Sequence, residues 1–198
     1  MNFSERYFNE VTAIANKIDF FKIDELASSI KNIRDLRGRI FFIGVGGSAA
    51  NASHAVNDFR KLCNIECYTP TDNVSELSAR TNDEGWDTVF SSWLQISNIC
   101  VNDAIFVFSV GGGNKEKNVS TSIIKAIDVT KKVGGKIFGI VGRDDGYTFK
   151  KADLCITIPI ESVDRITPHS EAFQAVVWHL IVSHPDLKKN EMKWEEVT

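Results

Sequence analysis

RIFFIGVGGSAANASH, residues 39–54, sets a short apolar run against a glycine-rich turn and then a stretch of small residues. The run RIFFIGV is too short for a helix and too apolar for a surface strand, so it reads as a strand buried on both faces. The small residues after the turn open a helix. The same grammar recurs in AIFVFSV (104–110), KIFGIVG (136–142) and LCITIPI (154–160), each bounded by Gly, Asp or Asn, and IECYTP (65–70) supplies a fifth strand. Between them VSELSAR, WDTVFSSWLQIS, SIIKAIDVTKKVG and EAFQAVVWHLIV read as helices. The alternation predicts a three-layer, doubly wound α/β fold with a mostly parallel five-stranded sheet.

Two helices precede the first strand and form an N-terminal hairpin. Phe3, Tyr7, Val11, Ile14 and Ile18 make one amphipathic stripe, capped by Asn2 or Ser4. A second helix is expected to start near Asp24, with Leu26, Ile30 and Ile33 on its apolar face and Gly38 just past its end. The 198 residues are expected to form one domain: helices over 1–37, an α/β core over 38–185 and a tail over 186–198, of which KKNEMKWEEVT is loosely held.

With 43% hydrophobic residues, 25% charged residues and a net charge of -3, the chain lacks the basic field of a nucleic-acid binder. No apolar run approaches the roughly 20 residues that span a bilayer, and the start MNFSERYFNEV has no signal core, so a cytoplasmic protein without membrane contact is expected. Cys63, Cys67, Cys100 and Cys155 form no CxxC pair, which predicts reduced, mostly buried thiols rather than a disulfide framework or thiolate zinc site.

Two glycine loops come directly after strands, at the ends where ligands collect in such sheets. In GVGGSAANASH, Gly47, Ser48 and Asn51 are candidate anion contacts at a helix start. The spacing is not the GxGxxG of a dinucleotide site and the Walker lysine is missing, so no nucleotide cofactor is expected. On spacing alone, a tight turn without ligand reads equally well. In SVGGGNKEKN, Ser109, Gly111, Gly112 and Asn114 can cradle a phosphate, with Lys115 adding charge; a flexible linker is the alternative. GRDDGY (142–147) reads as a plain left-handed turn without a role.

The chain has four histidines, and two stand in helix-like runs beside carboxylates: His54 four residues before Asp58, and His179 eight residues after Glu171. Imidazole with carboxylate moves protons near neutral pH or holds a divalent metal. His54 and Asp58 share a helix face. Glu171 and His179 do not, since eight helical residues separate Cα atoms by about 12 Å. They converge on one centre from opposite sides, or the helix begins after Glu171, or they serve sites on different subunits.

GVGGSAANASHAVND, ARTNDEGWDTVFSSWLQ, SVGGGN, GIVGRDDGY and DRITPHSEAFQAVVWH together resemble the sugar isomerase (SIS) domain, specifically the phosphoheptose isomerase family, from about residue 3 to 184. The resemblance implies interconversion of sedoheptulose 7-phosphate and D-glycero-D-manno-heptose 7-phosphate through an enediol, for bacterial lipopolysaccharide or capsule. It also implies a homotetramer with sites between subunits, and in some members zinc. By this match His54, Asp58, Glu171 and His179 are the zinc ligands, with Asp58 in the place of a glutamate and Glu171 in that of a glutamine. Asp58, His179 and Asp83 are the catalytic candidates, Asp58 as base and His179 as acid, with His169 a spare proton carrier and Asp164 a further match. Val45 replaces an asparagine of the family's first loop, and SVGGGN replaces its serine- and threonine-rich second loop. A non-catalytic sugar-phosphate binder, regulatory or replication-initiator-associated, or an isomerase of another phosphosugar, is the alternative.

Overall fold

In the computed structural model, residues 1–193 and 197 are described. Strands β1 (Ile40–Ile43), β2 (Cys67–Tyr68), β3 (Ala104–Ser109), β4 (Lys136–Val141) and β5 (Leu154–Thr157) form one sheet in the order β2-β1-β3-β4-β5, every pair parallel. The helices are α1 (Phe3–Lys17), α2 (Phe20–Asp35), α3 (Gly47–Cys63), α4 (Val74–Glu84), α5 (Val89–Ile96), α6 (Thr121–Val133), α7 (Tyr147–Lys151) and α8 (Ile166–Ser183).

The apolar runs are continuous because both faces of the sheet are covered. Along β1, Ile40 and Phe42 join the core beneath α1, α2, α3 and α8, while Phe41 and Ile43 join the opposite core beneath α5 and α6. In β3, Phe106 and Phe108 go with the first set, and Ile105 and Val107 with the second. The chain changes direction of winding between β1 and β3. Both glycine loops leave the sheet there, at the carboxyl ends of the strands, where a crevice is unavoidable in this topology.

Several sequence expectations need correction. Helix α2 starts at Phe20, four residues before Asp24, because Asp19 caps it by accepting the Lys22 N–H at 3.0 Å. Phe20 and Phe21 are exposed and so left no periodic signal. GRDDGY contains no residue with positive φ. Its glycines serve close approach instead: a Cβ on Gly142 would run into the Ser170 side chain, and one on Gly146 into the Gly111 carbonyl. Helix α8 begins at Ile166, with Pro168 tolerated in its first turn, so it does not start after Glu171.

The tail is pinned at its start rather than loosely held. Leu187 is fully buried, the Lys189 and Asn190 N–H groups donate to the Leu62 carbonyl at 2.7 and 3.1 Å, and Arg34 Nη1 donates to the Leu187 carbonyl at 2.7 Å. The remainder of that expectation, at 194–196 and 198, lies outside the described residues.

Candidate functional site

Helices α3 and α8 pack against each other and run in the same sense, since residues rising along one meet residues rising along the other. Glu171 meets Gly47, the Asn51 amide donates to the Glu171 carbonyl and Gln174 Oε1, at 2.9 and 3.0 Å, and His179 meets Asp58. Three of the predicted residues come together at the far end of this seam. Donor atoms of His54, Asp58 and His179 all lie within 4.8 Å of one another. His54 Nε2 and His179 Nε2 stand 3.7 and 3.9 Å from Asp58 Oδ2. The carboxylate is largely enclosed, at 15% exposure, whereas the imidazoles are 58% and 46% exposed.

Each group is oriented by a neighbour. His179 Nδ1 lies 2.8 Å from the Ala175 carbonyl, one turn back. A carbonyl only accepts, so Nδ1 carries a proton and Nε2 faces the cluster. The Asn57 amide donates to Asp58 Oδ1 at 2.7 Å, leaving Oδ2 toward the imidazoles. Trp178 stacks on His179 with ring centroids 3.5 Å apart. Nothing in spacing pointed to Asn57 or Trp178, because adjacent helical residues do not normally face each other.

Glu171 is elsewhere. Its carboxylate lies against Gly47, at the first turn of α3, so closely that a Cβ on Gly47 would overlap it. The four-residue ligand set therefore divides into a cluster of three and a carboxylate at the first glycine loop. Asp83 is on exposed α4, its carboxylate accepting from Asn82 at 2.8 Å, and is outside the cluster, and Asp164 is exposed in a 3-10 turn at Val163–Arg165.

His169 is also committed. It is 3% exposed and its Nε2 lies 2.8 Å from Glu10 Oε2, while Arg165 grips the same carboxylate through Nε and Nη2 at 2.9 and 2.8 Å. The Arg165 hydrogen bonds, then that of His169, hold the Glu10 carboxyl down at about 2. This clasp ties α1 to the start of α8.

In the first loop, Gly46 adopts φ +62°, and its carbonyl accepts from Ala49 and Ala50. Ser48 is 2% exposed and Asn51 is engaged with α8. The second loop is closed on itself. Ser109 Oγ accepts from the Gly112 N–H at 3.0 Å, and Asn114 Oδ1 accepts from the Lys117 N–H at 2.8 Å. Asn114 and Val119 pair as a small antiparallel bridge, and the Gly112 and Gly113 carbonyls accept from Thr148 and Tyr147 of α7. Both glycines have positive φ, which the turn requires. Lys115 pairs with Asp128 at 3.1 Å and lies over the Tyr147 ring.

Three of the four thiols are buried, and Cys100 is exposed. Burial pushes Cys63 up to about 11, Cys155 up to about 12 and Cys67 higher still, so all three are neutral thiols near pH 7.

No family model matches the chain. It is 32% identical over 158 residues to the lincomycin biosynthesis protein LmbN of Streptomyces lincolnensis, a match covering 74% of this chain but only 56% of that relative. It is 30% identical over 165 residues to a phosphoheptose isomerase of Chlorobaculum tepidum, covering 79% of this chain and 74% of the other. Among solved structures, a phosphoheptose isomerase from Neisseria gonorrhoeae shares the fold, with a TM-score of 0.78 at 21% identity over 91% of this chain and 94% of that one. Among the described residues, no helix is long and apolar enough to cross a membrane.

Proposed function

The chain belongs to the phosphoheptose isomerase family, and from that premise we propose that it converts sedoheptulose 7-phosphate to D-glycero-D-manno-heptose 7-phosphate through an enediol, in heptose biosynthesis for bacterial surface glycans. One observation carries the reading: two imidazoles and one enclosed carboxylate converge within 4.8 Å. A fold that only binds sugar has no need of such a cluster.

Isomerisation moves one carbon-bound and one oxygen-bound proton. Asp58 Oδ2 takes the proton from C1; that C–H electron pair becomes the C1–C2 double bond, and the carbonyl oxygen on C2 takes a proton from Nε2 of His179, which enters the step as the imidazolium and keeps its other proton on Nδ1. The return step places the carbon-bound proton on C2 and returns the O1 proton to His179, leaving the aldehyde at C1. The Ala175 contact keeps His179 Nδ1 out of the exchange, so Nε2 alone serves it.

The cluster also fits zinc, as an alternative to the metal-free proton transfer above, because a ligand atom bound to the ion is not free to hold the moving proton. Two imidazole nitrogens and one carboxylate oxygen are a three-ligand set of the kind that leaves a coordination position for substrate. His54, Asp58 and His179 would hold the ion, which when bound polarises the substrate carbonyl as a Lewis acid. Glu171, lying against Gly47, is not in this set.

Position along α3 supports a site completed between subunits of a homotetramer. His54 and Asp58 lie seven and eleven residues beyond Gly47, about 10 and 16 Å of helix rise. The anion loops and the proton-transfer cluster of one chain are thus far apart for one sugar phosphate. Exposed Phe3, Phe8, Phe20 and Phe21 on α1 and α2 supply apolar surface for assembly. We place the protein in the cytoplasm, where its phosphorylated substrate would be made.

One observation favours a second reading. Ser109 and Asn114 spend their acceptors within their own loop, and Val110 and Gly111 supply no hydroxyl, which suits a different phosphosugar or a regulatory sugar-phosphate binder. An NMR assay of sedoheptulose 7-phosphate beside shorter ketose phosphates, with and without added zinc, separates these. Asp58→Asn and His179→Gln should each lower turnover by at least roughly a hundredfold. No turnover of any ketose phosphate by the wild type leaves the binder; near-normal rates in either variant overturn the residue roles.

A further inference from the structure

Trp178 is 0% exposed and belongs to the core beneath α3 and α8, yet its indole Nε1–H has no hydrogen-bond partner among the described residues. A buried donor without an acceptor is a liability that Phe or Leu at this position would avoid. Packing alone therefore does not account for an indole. Its faces and edge do something the other apolar residues cannot. The His179 ring stacks on it, centroids 3.5 Å apart and planes 28° from parallel, and the His54 ring meets it at 4.7 Å and 65°. The two imidazoles are then 5.3 Å apart and nearly perpendicular, at 88°.

This arrangement is not a by-product of helix geometry. Neighbours in a helix project about 100° apart, so the side chains of residues 178 and 179 do not face each other unless one folds back. His179 folds back, and its Nδ1 contact with Ala175 fixes the direction. Exposed imidazoles otherwise turn freely about two side-chain torsions, and a ligand set built on freely turning rings is poorly preorganised.

We propose that Trp178 is a positioning residue whose indole fixes the ring planes of both His54 and His179, so that their Nε2 atoms converge on Asp58 Oδ2. The inference rests on the reading of those three residues as the metal- and proton-handling centre. Trp178 touches no substrate. It acts through the imidazoles, and an electron-rich aromatic face is the surface best suited to rings that gain positive character when they bind a metal or a proton.

The test uses the full-length protein as wild type, Trp178→Leu and Trp178→Phe. Zinc alone is the probe, its affinity read by competition with a chelator, and kcat and KM are measured on the sugar phosphate. Loss of the aromatic surface in Trp178→Leu should weaken zinc binding by roughly 10–100-fold, the range typical when a group supporting a metal ligand is removed. It should lower kcat with KM little changed, and Trp178→Phe should recover most of both. A folded Trp178→Leu protein with wild-type zinc affinity and kcat overturns the proposal.

Wild-type protein that neither binds zinc nor turns over any ketose phosphate sinks the reading of the centre itself. In that event, or if the variants do not fold, NMR of the unsubstituted protein decides. Stacking on the indole shifts the His179 ring protons upfield of those of His184, which stacks on no aromatic ring among the described residues. His179 protons at the His184 positions overturn the proposal.

Discussion

Glu171 and His179 leave the same helix eight residues apart and meet opposite ends of α3, one at Gly47 and the other at Asp58. Their separation, about 12 Å of helix, is preserved across the seam rather than bridged. Removing the charge of Glu171 should then leave zinc binding intact. Glu171→Gln is expected to hold zinc with wild-type affinity in a chelator competition, while His179→Gln should lose more than the ~10–100-fold typical of a supporting residue. Equal losses in the two variants would show Glu171 to be a ligand after all.

The glycines of the first loop are predicted to differ in kind. A Cβ on Gly44 collides with the Ser48 carbonyl and its neighbouring backbone, which cannot yield, so Gly44→Ala should lose about 1–3 kcal/mol of stability in urea unfolding. The nearest atoms to a Cβ on Gly47 are those of the Glu171 carboxylate, the end of a flexible side chain. Gly47→Ala should keep most of its stability while displacing Glu171. Comparable destabilisation in both would refute the distinction.

The clasp of Glu10 by Arg165 and His169 makes a pH-dependent contribution whose sign is fixed. Glu10 titrates in the folded protein at about 2, below its ordinary 4.5, so folding is favoured wherever Glu10 is ionised. That contribution is complete above about 4.5 and vanishes as pH falls through about 2. Thermal melts of wild type and Glu10→Gln should differ at pH 7 and converge toward pH 2. A constant gap across this range would mean that the carboxylate charge is not what ties α1 to α8.

Asp103 is 1% exposed and accepts hydrogen bonds from Arg39 Nη2 at 2.7 Å and from the Arg39 and Cys100 N–H groups at 2.8 and 2.9 Å. Burial is the largest single influence and raises its titration, yet these donors together hold it below the usual carboxylate range. Asp103→Ala leaves two amides without their acceptor and Arg39 with only the Ser97 and Asn98 carbonyls, and should lose about 1–3 kcal/mol in denaturant unfolding. A loss under about 1 kcal/mol would mean that water replaces the carboxylate there.

Fold and site were legible to different depths. The strands were readable because burial on both faces leaves no polar residue inside IFFI or AIFVF, and the winding could be inferred from the helices between them. His54 with Asp58 was readable because a four-residue helical spacing is itself a geometric statement. The destination of Glu171 was not, since it depends on how α8 lies along α3, a long-range packing relation with no local signature. The left-handed turn expected at GRDDGY failed for a related reason: glycine serves both unusual φ and close approach, and only the neighbours Ser170 and Gly111 show which is needed. Glu10 precedes Arg165 and His169 by 155 and 159 residues, and nothing in the sequence joins it to that i, i+4 pair.

The second glycine loop, with Ser109, Gly112, Gly113 and Asn114 already bonded to their neighbours, has little conformational freedom left to surrender. A phosphosugar bound there, as proposed above, would meet a seat that does not have to be assembled around it, so the entropy of ordering a loop would be largely absent from the binding free energy. Association would then be governed by encounter rather than by rearrangement, and discrimination between one phosphorylated sugar and another would fall on how fast each leaves.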